Sequence, residues 1–161
     1  ARLAAHFGLP YAFAYFFSDG RGVEEALRLY RDHYRPSAAH PVPKATICVW
    51  ALAADTTEEA CHQLHTREYW RVGFERGIRN ALVPPDVAAA HPYDAGGQAI
   101  VEALRRKAFV GTASDVAGRL SELAARLALD ELVVVTWTYD PAPRHRSYEL
   151  LADAFALRPG G

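Results

Sequence analysis

Glu131-Leu-Val-Val-Val-Thr-Trp-Thr-Tyr139, followed at once by Asp140-Pro141, is the stretch on which the fold of this chain turns. Its β-branched and aromatic residues favour an extended backbone. Apolar side chains stand at consecutive positions, so the strand has no polar face to show to water. Asp140 can cap a helix and Pro141 fits its first turn, so a helix follows directly. That helix is expected to bury Tyr148, Leu151, Ala152 and Phe155, with Arg158-Pro-Gly-Gly161 as a frayed tail.

The same order repeats upstream. Tyr11-Ala-Phe-Ala-Tyr-Phe-Phe17 is a short apolar run bounded by Pro10 and by Ser18-Asp-Gly20, and it reads as a buried strand. Val23, Ala26, Leu27, Tyr30 and Tyr34 then mark one face of an amphipathic helix. After a loop over 36–43, Ala45-Thr-Ile-Cys-Val-Trp-Ala-Leu-Ala-Ala54 is a second fully apolar strand. Asp55-Thr-Thr-Glu-Glu59 supplies caps and acids for a helix running through Ala60, Cys61 and Leu64 towards Trp70 and Phe74. Residues 76–97, broken by Pro84-Pro85, Pro92 and Gly96-Gly97, are expected to be an insertion or mobile loop. Ile100, Val101 and Leu104 begin another helix. Val110-Gly-Thr112 reads as a turn in which Thr112 or Ser114 caps a helix carrying Val116, Leu120, Leu123, Ala124 and Leu127.

Strands that are apolar on both faces and alternate with helices predict an α/β fold with a parallel sheet. At the start, Ala1 to Phe7 read as the last turns of a helix stopped by Gly8. A helix met in mid-stride, in a chain with no methionine, leads to the expectation that the sequence is the later part of a longer one.

Composition narrows the function classes. The 161 residues carry a net charge of -1 and no basic stripe, which gives no footing for a nucleic-acid partner. No window reaches the roughly 18 apolar residues of a membrane span, and no signal-peptide pattern opens the chain. The two cysteines, Cys48 and Cys61, are too few for a disulfide framework and read as buried free thiols, which points to a reducing, cytoplasmic setting.

Several segments, taken in order, resemble the luciferase-like flavin-dependent monooxygenases. They are Leu3-Ala-Ala5 with Phe7-Gly-Leu-Pro-Tyr-Ala-Phe-Ala14, Ala26-Leu27 with Leu29-Tyr-Arg31 and Arg35-Pro-Ser37, and Ala53-Ala-Asp-Thr56 with Glu58-Glu-Ala60. Val110-Gly-Thr112, Asp130-Glu-Leu-Val-Val-Val-Thr136, and Tyr139-Asp140 with Arg144, Arg146 and Ser147-Tyr-Glu-Leu-Leu-Ala152 complete the series. The resemblance covers nearly the whole chain apart from 76–97. It implies a partial (β/α)8 TIM barrel, with about three parallel strands matching the last three of the barrel and their covering helices. A whole barrel has eight strands and about 250 residues, more than this chain supplies. The function implied is oxidation of an aldehyde or another small organic substrate by reduced FMN and oxygen. The family's catalytic histidine and much of its flavin site fall in strands with no counterpart here, so no catalytic residue is carried over and activity of this chain by itself is not expected. Two alternatives stand beside that reading: a non-catalytic half-barrel that self-associates, and a deazaflavin-dependent oxidoreductase on the same fold. The partners expected are flavin, an organic substrate, and either a second copy or a complementing N-terminal half.

Barrel enzymes work at the C-terminal ends of their strands. Here those ends offer Ala14, Tyr15, Phe16 and Phe17, and then Trp137 and Tyr139, as walls for a flavin ring or an apolar substrate. Family members often carry histidines where Tyr15 and Phe16 stand, so these two suit a pocket wall better than an acid or base. His62 and His65 have metal-compatible spacing, yet no third ligand stands out and a solvated helix face explains them better. Arg144, His145 and Arg146 read as solvated charges at a helix start. Gly111-Thr112 lacks both the Walker and the dinucleotide glycine spacing.

Overall fold

A computed structural model describes residues 1–157; Arg158-Pro-Gly-Gly161 lie outside the described residues. In chain order the elements are α1 (Arg2–Phe7), β1 (Tyr11–Phe13), α2 (Tyr15–Ser18), α3 (Val23–Asp32), β2 (Ala45–Ala54), α4 (Thr57–Glu75) and α5 (Pro85–Ala89). They continue with α6 (Ala95–Lys107), β3 (Phe109–Thr112), α7 (Ala113–Arg126), β4 (Glu131–Val135) and α8 (Pro141–Ala154). The chain forms two compact units, one of Ala1–Trp50 with Leu120–Val135, the other of residues 51–119 with 136 onward.

In the first unit, β1 and β4 both pair in parallel with the start of β2. Thr46 is matched by Ala12 and by Glu131, and Ile47 by Phe13 and by Leu132. A strand has only two edges, so β2 is central. Ala45, Ile47 and Val49 are buried on one face of β2, while Thr46 and Cys48 on the other are half-buried. Val133, beside Cys48, is 42% exposed, and Ala12 is exposed. Gly8 ends α1 at φ 62°; a Cβ there would lie 2.4 Å from the carbonyl oxygen of Arg35, so only glycine fits. Tyr30, fully buried, donates to Leu9 O at 2.9 Å and accepts from Lys44 N at 3.1 Å, joining the approaches to β1 and β2. Asp130 accepts from Ala45 N at 2.7 Å and sets the start of β4 against β2.

In the second unit, Ala51 to Ala54 pair in parallel with Phe109 to Thr112 of β3. Thr56 caps α4 through Glu59 N at 3.1 Å, and Asp94 caps α6 through Gly97 N at 2.7 Å. Glu68 of α4, its side chain 2% exposed, accepts from Arg105 of α6 at 2.5 and 2.9 Å and lies 2.9 Å from His65 Nδ1. α8 is tied to the end of β2 twice. Ser147 Oγ, fully buried, accepts from Ala53 N at 2.9 Å, and Arg146 donates to Asp55 at 2.6 and 3.0 Å.

Parallel strands, each followed by a helix, match the expectation, and the differences have local causes. The run 11–17 stops being a strand at Phe13, and Tyr15 to Ser18 form one helical turn. Alternation would send Phe16 and Phe17 to opposite faces; in the turn their rings meet at 4.3 Å. The long run ending at Tyr139 leaves its ladder after Val135. Val110-Gly-Thr112 is part of a fourth strand, and Thr112 also caps α7 through Asp115 N at 3.4 Å. Within 76–97 the structure holds α5 and the first turn of α6. Along α8 the buried positions are Ser147 and Leu151, while Tyr148 is 39% and Phe155 38% exposed. Both cysteines are free, but Cys48 is half-buried and Cys61 exposed; burial pushes the Cys48 thiol up. No helix among the described residues is long and apolar enough to cross a membrane.

Two measurements check these ties. Glu68→Gln breaks a charge-assisted pair whose arginine is half-exposed and can rehydrate, so denaturant titration should show a loss of about 1–3 kcal/mol. An unchanged midpoint would mean that α4 and α6 are held by packing alone. The hydrogen bonds from Arg146 hold the Asp55 carboxyl below its usual value. A depressed folded value adds stability above the unfolded aspartate range, and that stability is lost as pH falls through the folded value. Asp55→Asn should therefore flatten the acid limb of the stability curve below about pH 4 and leave its alkaline limb alone.

Candidate functional site

The aromatic residues expected at the strand ends divide between the two units. In the first, Ala14 precedes α2 and is exposed, Tyr15 and Phe16 are half-buried, and Phe17 is 50% exposed. The Phe16 and Phe17 rings tilt at 36° to one another. Tyr15 is seated by a glycine: at Gly20, φ 81°, an added Cβ would stand 2.5 Å from the Tyr15 ring. The Ser18 hydroxyl closes this turn, buried and with no hydrogen-bond partner. A buried hydroxyl left unpaired costs free energy, so it marks a place where a polar ligand atom or a water fits.

In the second unit, Trp137 is half-buried two residues beyond the end of β4. Its indole meets Trp70 edge-on at 4.8 Å and 76°, and the Arg67 guanidinium lies 5.2 Å from its ring centre. Trp70 in turn stacks on Phe74 at 4.9 Å and 23°. Such contacts hold rings in one orientation and add about 0.5–1.5 kcal/mol per pair beyond area burial. Tyr139 is 52% exposed.

Sequence reading identified Trp70 and Phe74 as apolar helix positions but missed the charged residues beside them. Thr66, Arg67, Glu68 and Arg71 are all at most 3% exposed on α4. Sequence reading gave these four no place in the core. The signal was the absence of an apolar stripe over 65–69, and the partner that explains Glu68 stands 37 residues away. Near that pair, burial and then the Glu68 charge push the Tyr93 hydroxyl up to about 12.

The histidines are placed apart in role. His62 Nε2 is 2.8 Å from Asp86, while His65 faces Glu68. Arg146 is exposed but engaged, pairing with Asp55 and with Glu149 at 3.5 Å, and these partners raise its already high value further.

No family model matches the chain. A luciferase-like monooxygenase of Escherichia coli (strain K12) is 31% identical over 153 residues, which takes in 95% of this chain and 45% of that protein. The solved structure of apo-MsnO8 matches at a TM-score of 0.85 and 30% identity, over 99% of this chain and 48% of that one. The oxygenating constituent of 3,6-diketocamphane monooxygenase from Pseudomonas putida, a type II Baeyer-Villiger enzyme solved with FMN, shares the fold. Its TM-score is 0.52 at 20% identity, over 98% of this chain and 46% of that one. The chain spans about half the length of the curated relatives it matches. With parallel strands and helices between them, the chain is similar along nearly its whole length to part of the luciferase-like monooxygenases.

Proposed function

We propose that this chain serves an FMN-dependent monooxygenase that uses reduced flavin and oxygen to oxidise an aldehyde or another small organic substrate. In this reading residues 1–161 are the C-terminal portion of the barrel, residues 76–97 are an insertion or mobile loop, the setting is the cytoplasm, and the remaining strands come from a full-length barrel or from a complementing N-terminal half. The observation that carries it is the set of aromatic side chains placed just past the C-terminal ends of parallel strands, in a chain similar to monooxygenases along nearly its whole length.

The residues fit a flavin. Phe16 and Phe17 offer flat apolar faces, Tyr15 is fixed by its contact at Gly20, and the unpaired Ser18 hydroxyl offers a hydrogen bond at a ring edge or side chain. Trp137, braced by Trp70, offers a rigid apolar wall, and Tyr139 a polar-tipped one. When bound, reduced FMN supplies the reaction with oxygen. Ala14, Tyr15, Phe16 and Phe17 of the first unit, and Trp137 and Tyr139 of the second, would each give walls to flavin or substrate and exclude water there, which protects reactive species from side reactions. None of these six is assigned a proton-transfer role, and the chain alone is expected to be inactive.

The binding test mixes this chain with the N-terminal half of a family barrel, verifies reassembly by size, and titrates FMN. Quenching of flavin fluorescence is expected on reassembly and not with either half alone, and Trp137→Ala should weaken it roughly tenfold, the scale of one lost ring contact. Verified reassembly without FMN binding would overturn the reading; binding of a deazaflavin in place of FMN would move the chain to the related oxidoreductases.

One observation favours a second reading, a non-catalytic half-barrel that pairs with its own copy. The face of the first unit's sheet that bears Ala12, Cys48 and Val133 is partly open, and parallel sheets ordinarily have both faces covered. Sedimentation equilibrium decides it: a concentration-dependent dimer supports self-association, and a monomer at high concentration contradicts it.

A further inference from the structure

The segment Thr136-Trp-Thr138 has left the β4 ladder, yet the backbone and hydroxyl of Thr136 and the hydroxyl of Thr138 are all hydrogen-bonded. Thr136 N donates to the Tyr148 hydroxyl at 2.9 Å, and Thr136 Oγ1 donates to Ala51 O at 2.6 Å. The Tyr148 hydroxyl also reaches Thr136 O at 3.4 Å, and Thr138 Oγ1 bonds to the Asp140 carbonyl. Both threonines are buried, at 3% and 7% exposure, with Trp137 half-buried between them. With both flanking threonines buried and hydrogen-bonded, the Trp137 ring between them is held against α4. There its indole meets Trp70 and the Arg67 guanidinium. Threonine suits the task, because its branched Cβ stiffens χ1 while its hydroxyl binds backbone.

We propose that Tyr148 and Thr136 are positioning residues for Trp137: their hydrogen bonds end β4 at Val135 and aim the indole into the flavin or substrate pocket. The role for a pocket rests on the reading of Trp137 given above; the aiming itself does not. A backbone N–H at Thr136 that bonded to a strand neighbour would extend the ladder by one residue. Taken by the Tyr148 hydroxyl, it cannot do so, and the chain turns towards α8. Tyr148 itself is 39% exposed, so its ring contributes little to the core and its hydroxyl is the part that matters.

The test reads the two indoles directly. Trp70 and Trp137, close together and steeply inclined, should give an exciton couplet in circular dichroism, assigned by its loss in Trp137→Phe and in Trp70→Phe. Tyr148→Phe is expected to diminish the couplet with the helical signal unchanged, and to weaken FMN binding several-fold in the reassembled barrel. Thr136→Val, nearly isosteric, should do the same, and it decides the matter should Tyr148→Phe fail to fold. A couplet of wild-type amplitude in the variants overturns the proposal. A lost couplet with unaltered FMN affinity overturns the claim that the aiming serves the pocket. If the wild-type barrel binds no FMN at all, the functional reading falls, while the couplet still decides whether Tyr148 and Thr136 orient Trp137.

Discussion

Backbone hydrogen bonding along β2 is the constraint that the rest of the structure answers. Ala51 to Ala54 are all buried, and a buried N–H or carbonyl without a partner costs about as much as a lost hydrogen bond. Where the ladder of β2 with β4 ends, at Trp50 and Val135, partners have to come from elsewhere. β3 supplies one set by pairing with Ala51 to Ala54, and side-chain hydroxyls supply the other, Thr136 at the Ala51 carbonyl and Ser147 at the Ala53 N–H.

The functional geometry follows from this solution. Because hydroxyls rather than a strand finish the edge of β2, the chain after β4 is free to turn, and Trp137 is presented where a paired strand would have held it in line. Because α8 supplies Ser147 to Ala53, its first turns are fixed to the strand end, and Arg146 is carried to Asp55. The resemblance to the family rests on many of the same residues: Ala53-Ala-Asp-Thr56, Thr136, and Arg146 with Ser147-Tyr148. Their hydrogen bonds give a physical reason for that combination to occur together in one chain.

Helix α4 presents the opposite economy. It buries charge instead of hiding it from the core, with Glu68 shared between Arg105 and His65, and Arg67 laid against Trp137. Buried ion pairs stabilise weakly against hydrophobic alternatives, since desolvation offsets much of the attraction. Their value here is directional. A carboxylate that accepts two parallel N–H bonds from one guanidinium fixes α6 on α4 in one register. The rings on the same helix, Trp70 and Phe74, inherit that order.

Sequence alone determined the parallel α/β character, the strand Ala45–Ala54, the stop at Gly8, a capped helix start within Asp55–Glu59, the Asp140-Pro141 helix start, and the family resemblance. These are legible because hydrophobic runs, caps and left-handed glycines are local signals, set by residues a few positions apart. Tertiary structure alone decided that the run from Tyr11 stops at Phe13, that Phe109–Thr112 is a strand, that Thr66, Arg67, Glu68 and Arg71 are buried, and that Tyr148 lies partly in the open with its hydroxyl on Thr136. Each of these depends on a partner far along the chain: Ala51–Ala54 for β3, Arg105 for Glu68, Trp137 for Arg67 and Trp70. A strand exists only once something pairs with it, and a charged side chain can be buried only once its counterpart arrives. Neither condition is written in the residues next to it.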